Sequence, residues 1–292
     1  MRRPRAPGSW RWLSGARAAL TAGLLTVSAC SLDGYLFNER PLDRYALSNA
    51  IIPDSLRTEG EWQVGTDRVA WVLARRPGSA PRLSMLYCHG NKNHIEEYWS
   101  RVETYWRAGF DVLIFDYRGF GRSTGTSSEA TMRADGEAAL AFLRSRGVAD
   151  SSLVVAGFSL GGVCAIHLAS RIVTPRALIV ESAFTSSEAL VRSGTVLDVP
   201  GRWLVKDPFD NLAAMPAVRA PTLLLHGDAD TFVPFSFGEA LFAANGASIR
   251  RFVRIRGADH TDIPTVLGAA RYGQVYHDFA MTPSANGATV LP

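Results

Sequence analysis

Short apolar runs, separated by polar and glycine-rich turns, mark the chain from about residue 60 onward. Strands are predicted at 68–74 (RVAWVLA), 83–89, 111–117, 152–158, 176–182, 221–227 and 250–256. Several of these runs are continuous rather than alternating, as expected of parallel strands covered on both faces. Between them, apolar positions recur at helical spacing over 95–108, 129–145, 160–171, 235–244 and 264–280. Strand followed by helix, repeated along the chain, predicts an α/β fold: a doubly wound, mostly parallel sheet with helices on both sides. Residues 185–219 interrupt the alternation and contain PGRWLVKDPFDN at 200–211, which predicts a short lid insertion rather than a separate domain. The expected organisation is an α/β body over 60–281, an N-terminal linker or brace over 30–59, and a flexible tail over 282–292.

Composition fits that plan. The chain has 292 residues, 47% of them hydrophobic and 20% charged, enough to build a core without metals or disulfide staples. Its charge is uneven. Residues 1–29 carry five arginines and no acid, so the formal +4 becomes 4 − 5 = −1 from Cys30 onward. The body is nearly neutral, and no nucleic-acid-binding face is implied. The first 29 residues have a basic start and an apolar run at 18–27, followed by SAC at 28–30. This predicts a signal peptide, its apolar run too short to span a bilayer.

Small residues before Cys30 resemble the lipobox of bacterial lipoproteins, with Val27 where leucine is usual. That resemblance implies a lipidated Cys30 as the first mature residue and a membrane-anchored, exported protein of the bacterial cell envelope. A signal cut nearby with Cys30 unmodified, and an uncleaved anchor, fit the same pattern. Cys88 and Cys164 read as buried thiols, with a disulfide between them left open.

Candidate chemistry lies in the turns. Gly157-Phe158-Ser159-Leu160-Gly161 matches G-x-S-x-G between a buried strand and a helix, the context in which a serine hydroxyl is lifted above a sheet. Serine is a poor nucleophile alone and needs a base with its own orienter. Asp230 in HGDADTFVP and His260 in GADH each follow a strand, and the chain order serine, acid, base is kept. Neighbouring Asp228, Asp259 and Asp262 read as loop-capping groups, and His226 as a strand-end residue. YCHGNKNH at 87–94 follows another strand. The backbone N–H groups of Asn91 and Leu160 are candidates for an oxyanion hole, with His89 holding the loop. No set of residues has metal-ligand spacing, and no cofactor is expected.

Taken together, HGN (89–91), DYRGFGRS (116–123), GFSLGG (157–162), HGDADTFVP (226–234) and GADH (257–260) resemble the α/β-hydrolase superfamily. The resemblance covers roughly residues 60–280, and the short lid and HGN loop are similar to the small-lid branch that includes lipid and protein deacylases. It implies a serine hydrolase of the carboxylesterase, lipase or thioesterase kind. Such an enzyme cleaves an ester or thioester of a small-molecule or lipid substrate through an acyl-enzyme on Ser159. Serine at the elbow argues against haloalkane and epoxide hydrolases. Phe184, Trp203 and Phe209 are candidates for an acyl pocket, or for packing the lid onto the body. A peptidase on the same three residues, and a catalytically silent lipid-anchored binding protein, are the alternatives.

Overall fold

The computed structural model describes residues 37–78, 82–189, 209–284 and 287–292. In chain order the strands are β1 (Asn38–Glu39), β2 (Arg57–Val64), β3 (Asp67–Ala74), β4 (Ser84–Cys88), β5 (Lys92–Asn93) and β6 (Asp111–Phe115). They continue with β7 (Leu153–Phe158), β8 (Ala177–Glu181), β9 (Thr222–Gly227), β10 (Arg250–Ile255) and β11 (Gly287–Leu291). The helices are α1 (Ile95–Ala108), α2 (Glu129–Ser145), α3 (Gly161–His167), α4 (Asn211–Ala214), α5 (Phe235–Ala244), α6 (Ile263–Leu267) and α7 (Ala269–Met281).

Nine strands form one sheet in the order β11-β10-β9-β8-β7-β4-β6-β3-β2. β2 and β3 run antiparallel at one edge, and every pairing from β6 to β11 is parallel. Alternation along each strand sends side chains to two cores. Leu86, Cys88, Leu113 and Val155 pack under α2, α3 and α5 with Leu140, Val163 and Leu241. Met85, Tyr87, Ile114 and Val154 pack under α1 and α7 with Val102, Tyr105 and Tyr276. Helices therefore cover both faces, as a doubly wound sheet requires. Helix α2 starts on a reciprocal cap: Ser128 Oγ accepts from Thr131 N–H at 3.1 Å, and Ser128 N–H donates to Thr131 Oγ1 at 2.7 Å.

The structure corrects three expectations. The tail expected to be flexible contributes β11, a full edge strand parallel to β10. Its sequence, GATVL, is too short and too weakly apolar to announce a strand; it is ordered by pairing. At the other edge, β2 begins at Arg57, so a body starting at residue 60 cuts through it. Its eight residues, RTEGEWQV, alternate half-buried with exposed positions and give little apolar signal. The helix expected over 264–280 is two, α6 and α7, parted by Gly268 at φ +76°.

The N-terminal brace has a definite path. β1 pairs in parallel with β5. Gly121 N–H then donates to Arg40 O at 2.9 Å, and Leu42 N–H donates to Gly121 O at 2.7 Å. Tyr45 reaches Asp116 with its hydroxyl. The segment is a strap across the loops that follow β4 and β6. Of the expected lid, residues 190–208 and with them Trp203 lie outside the described residues, as does Cys30. The two ends of the insertion are pinned together: Ser186 bridges Asp210, and Leu212 N–H donates to Thr185 O at 3.0 Å.

Candidate active site

The turn from β7 into α3 is tight because its residues allow little else. Ser159 has φ +53°, the left-handed region that a residue with a side chain enters only under local constraint. Its N–H donates to Glu181 O at the end of β8, at 2.8 Å. A Cβ on Gly161 would lie 2.0 Å from Cys88 O, so only glycine lets α3 start this close to β4. The strained turn leaves Ser159 Oγ pointing away from the sheet, toward the loops that follow β9 and β10.

His260, in the loop after β10, meets it there. His260 Nε2 lies 2.9 Å from Ser159 Oγ, and Nδ1 lies 2.9 Å from Asp230 Oδ2. An ionised carboxylate can only accept, so Nδ1 carries the proton and Nε2 is left to accept from the serine hydroxyl. Asp230 is kept ionised. Burial pushes its pKa up, but hydrogen bonds from His226, His260 and Val233 N–H outweigh that and hold it well below the usual carboxylate range. Its Oδ1 accepts from Phe232 N–H at 2.9 Å and Val233 N–H at 2.7 Å. His226, fully buried, donates from Nε2 to Val233 O at 2.9 Å while lying 3.4 Å from Asp230 Oδ2.

The neighbouring acids fasten these loops. Asp259 Oδ1 accepts from Thr231 N–H and from His260 N–H, both at 2.8 Å, which ties the acid loop to the base loop. These bonds also lower the Asp259 pKa. Asp262 Oδ1 accepts from Asp259 N–H at 2.7 Å, and Asp228 Oδ1 from Gly257 N–H at 2.7 Å.

On the other side of Ser159, β4 and β7 pair with Cys88 opposite Gly157. Asn91 and Leu160 are each three residues further on, so the register brings their backbones to one end of two adjacent strands. Leu160 opens α3, where first-turn N–H groups have no intrahelical acceptor. The Asn91 loop is held from several directions. Buried His89 donates from Nδ1 to Gly90 O at 2.7 Å, Tyr117 donates to His89 O at 2.9 Å, and Lys92 N–H donates to Tyr98 Oη at 2.8 Å. Asp116 Oδ1 accepts from Ile95 N–H at 2.9 Å and faces His89 Nε2 at 3.3 Å.

Apolar side chains surround the imidazole. Phe158 lies 5.2 Å and Phe232 5.0 Å from the His260 ring centre, and Phe184 is 6.0 Å from Phe232. Phe184 and Phe209 are both buried in the core under α3. Phe232, 50% exposed, escaped the sequence reading, although an aromatic two residues after Asp230 was a visible signal. Among the described residues, no cluster of three or more His, Cys, Asp or Glu is placed to hold a metal. Nor is any helix among them long and apolar enough to cross a membrane. Cys88 and Cys164 are buried free thiols, without a disulfide between them.

Comparison with known proteins agrees with this architecture. Residues 79–206 match the family model described as serine aminopeptidase, S33. The uncharacterized protein Rv2307c of Mycobacterium tuberculosis is 32% identical over 219 residues, covering 74% of this chain and 75% of that protein. An α/β-hydrolase domain-containing protein of Caenorhabditis elegans, aho-3, is 31% identical over 68% of this chain and 58% of its own length. The esterase Pf2001 of Pyrococcus furiosus superposes with a TM-score of 0.66 at 17% identity, covering 83% of this chain and 98% of the esterase. The chain belongs to the α/β-hydrolase superfamily. In this α/β-hydrolase the serine, histidine and aspartate all sit just beyond the carboxyl ends of β7, β10 and β9, where open parallel sheets gather their ligands.

Proposed function

We propose that the protein is a serine hydrolase that cleaves carboxylic esters or thioesters through an acyl-enzyme on Ser159. The observation that carries this reading is the unbroken chain Ser159 Oγ, His260, Asp230, with both contacts at 2.9 Å. As Oγ bonds to the substrate carbonyl carbon, its proton passes to His260 Nε2, and Asp230 steadies the imidazolium that forms. The carbonyl oxygen becomes an oxyanion facing the Leu160 and Asn91 amides. Collapse of the intermediate breaks the bond to the alcohol or thiol, which leaves with the proton from His260. Water then gives a proton to His260 and attacks the acyl carbon, releasing the acid and restoring Ser159. Phe232 supplies apolar surface beside the imidazole for an acyl chain or leaving group, and buried Phe184 packs behind it.

The test is hydrolysis of p-nitrophenyl esters from acetyl to palmitoyl, beside Ser159→Ala. We expect turnover in the wild type, a fall of at least about 10³-fold in the variant, and a chain-length optimum that sizes the pocket. Turnover that survives in Ser159→Ala would refute the acyl-enzyme. The family model's description keeps a peptidase in view. Faster cleavage of aminoacyl p-nitroanilides than of any ester would establish that alternative.

The basic, apolar leader and SAC at 28–30 support a further reading, that the protein is exported and anchored through lipid on Cys30. Intact mass of the mature protein should then correspond to a chain starting at Cys30 with added acyl mass. A chain that keeps residues before Cys30 and has no added mass would rule the anchor out.

A further inference from the structure

Beneath the site, between the end of β8 and the helices α1 and α7, lies a charged cluster in an otherwise apolar and aromatic layer. Glu181, fully buried, is held at both oxygens. Its Oε1 accepts from Arg101 Nη1 at 2.7 Å, and its Oε2 accepts from Tyr272 Oη at 2.6 Å and from Tyr276 Oη. Arg101 comes from α1 and is 7% exposed. Besides Glu181, its Nη1 reaches Tyr272 Oη at 2.6 Å. Burial works against the guanidinium charge, but the Glu181 carboxylate and the tyrosine hydroxyls around it together outweigh that, and the Arg101 pKa is pushed further up.

The cluster's contacts run to the residues next to the site. Glu181 O takes the Ser159 N–H at 2.8 Å. Arg101 Nη2 donates to Thr261 O, the residue after His260, at 3.3 Å. The guanidinium carbon stands 4.2 Å from the centre of the Phe158 ring, and Phe158 precedes Ser159 and packs on the His260 imidazole. From these contacts we infer that Arg101 and Glu181 are positioning residues, a buried ionic clamp that fixes Ser159 and His260 relative to one another.

A buried ion pair is a poor device for stability alone, because desolvation offsets most of the attraction and apolar residues of like size often do as well. Its advantage here is geometric. Arg101 presents two arms in one rigid plane, so a single side chain can hold the nucleophile's strand through Glu181 and the base's loop through Thr261. Displacing reacting groups by about 1 Å can reduce turnover about 10²-fold.

The inference rests on the serine-hydrolase reading, and its test separates the two. Arg101→Lys keeps the charge for Glu181 but has no planar fork to reach Thr261 O or lie on Phe158. Arg101→Met/Glu181→Gln removes both charges together, which avoids leaving one buried and unpaired. In both variants kcat on the best p-nitrophenyl ester, and the rate at which a fluorophosphonate labels Ser159, should fall together by about tenfold or more. KM should stay within about twofold and Tm near that of the wild type. Wild-type kcat and labelling rate in Arg101→Lys would overturn the clamp, as would losses in both variants that merely track a smaller folded fraction. A folded wild-type protein that neither turns over esters nor labels would instead overturn the serine-hydrolase reading, and the clamp with it.

Discussion

The proposed mechanism needs His260 to take the Ser159 proton, and that depends on which nitrogen of His260 is bare. Asp230 decides the matter by accepting from Nδ1 at 2.9 Å. Asp230→Asn changes few atoms, but its amide N–H₂ can donate where the carboxylate could only accept. The imidazole then turns its proton toward Ser159, and kcat should fall by about 10³–10⁴-fold, read from ester hydrolysis at saturating substrate. The same substitution has a second signature, in stability. The folded pKa of Asp230 lies below the unfolded value of about 3.9. Its ionised form therefore stabilises the fold at neutral pH, and that contribution is lost as pH falls from the unfolded value through the folded one. Melting temperatures measured from pH 6 downward should drop less steeply in Asp230→Asn than in the wild type. Parallel curves would mean that the carboxylate is not held as the geometry describes.

At the scale of elements, the loop carrying Asn91 is shaped as much by the strap as by β4. Tyr45 donates a hydrogen bond from its hydroxyl to Asp116, the same carboxylate that accepts from Ile95 N–H and faces His89. Burial and the neighbouring Asp116 charge push the Tyr45 phenol pKa up, so it remains a donor throughout the working range. Tyr45→Phe leaves a buried carboxylate short of a partner and should destabilise the protein by about 1–3 kcal/mol. If the strap shapes the loop carrying Asn91, amide exchange at Gly90–Asn93 should quicken and, on the proposed mechanism, kcat should fall several-fold with KM little changed. Unaltered exchange there would confine the strap to a bracing role.

Much of this was legible along the chain, for reasons that differ from residue to residue. The central strands were visible because strands buried on both faces must be apolar throughout, as Leu153–Phe158 is. Ser159, Asp230 and His260 stood out as candidates because each falls in a turn directly after such a strand, and the structure brings all three side chains together. Arg101 and Glu181 were hidden for the opposite reason: one reads as a helix surface charge, the other as an ordinary strand end. Only the fold brings them within 2.7 Å of each other, across 80 positions of sequence. The edge strands were missed because edges tolerate polar residues, and at β11 the order comes from the partner strand. That strand pairs with the outer side of β10, the strand leading to His260. Seen from β10 it is a tethered peptide, joined to α7 by the residues between Met281 and Gly287. A leash that short sets an effective concentration on the order of millimolar, far above that of any free strand in solution. The molecule thus pairs the free side of β10 before another chain can, and β11 becomes the edge in its place.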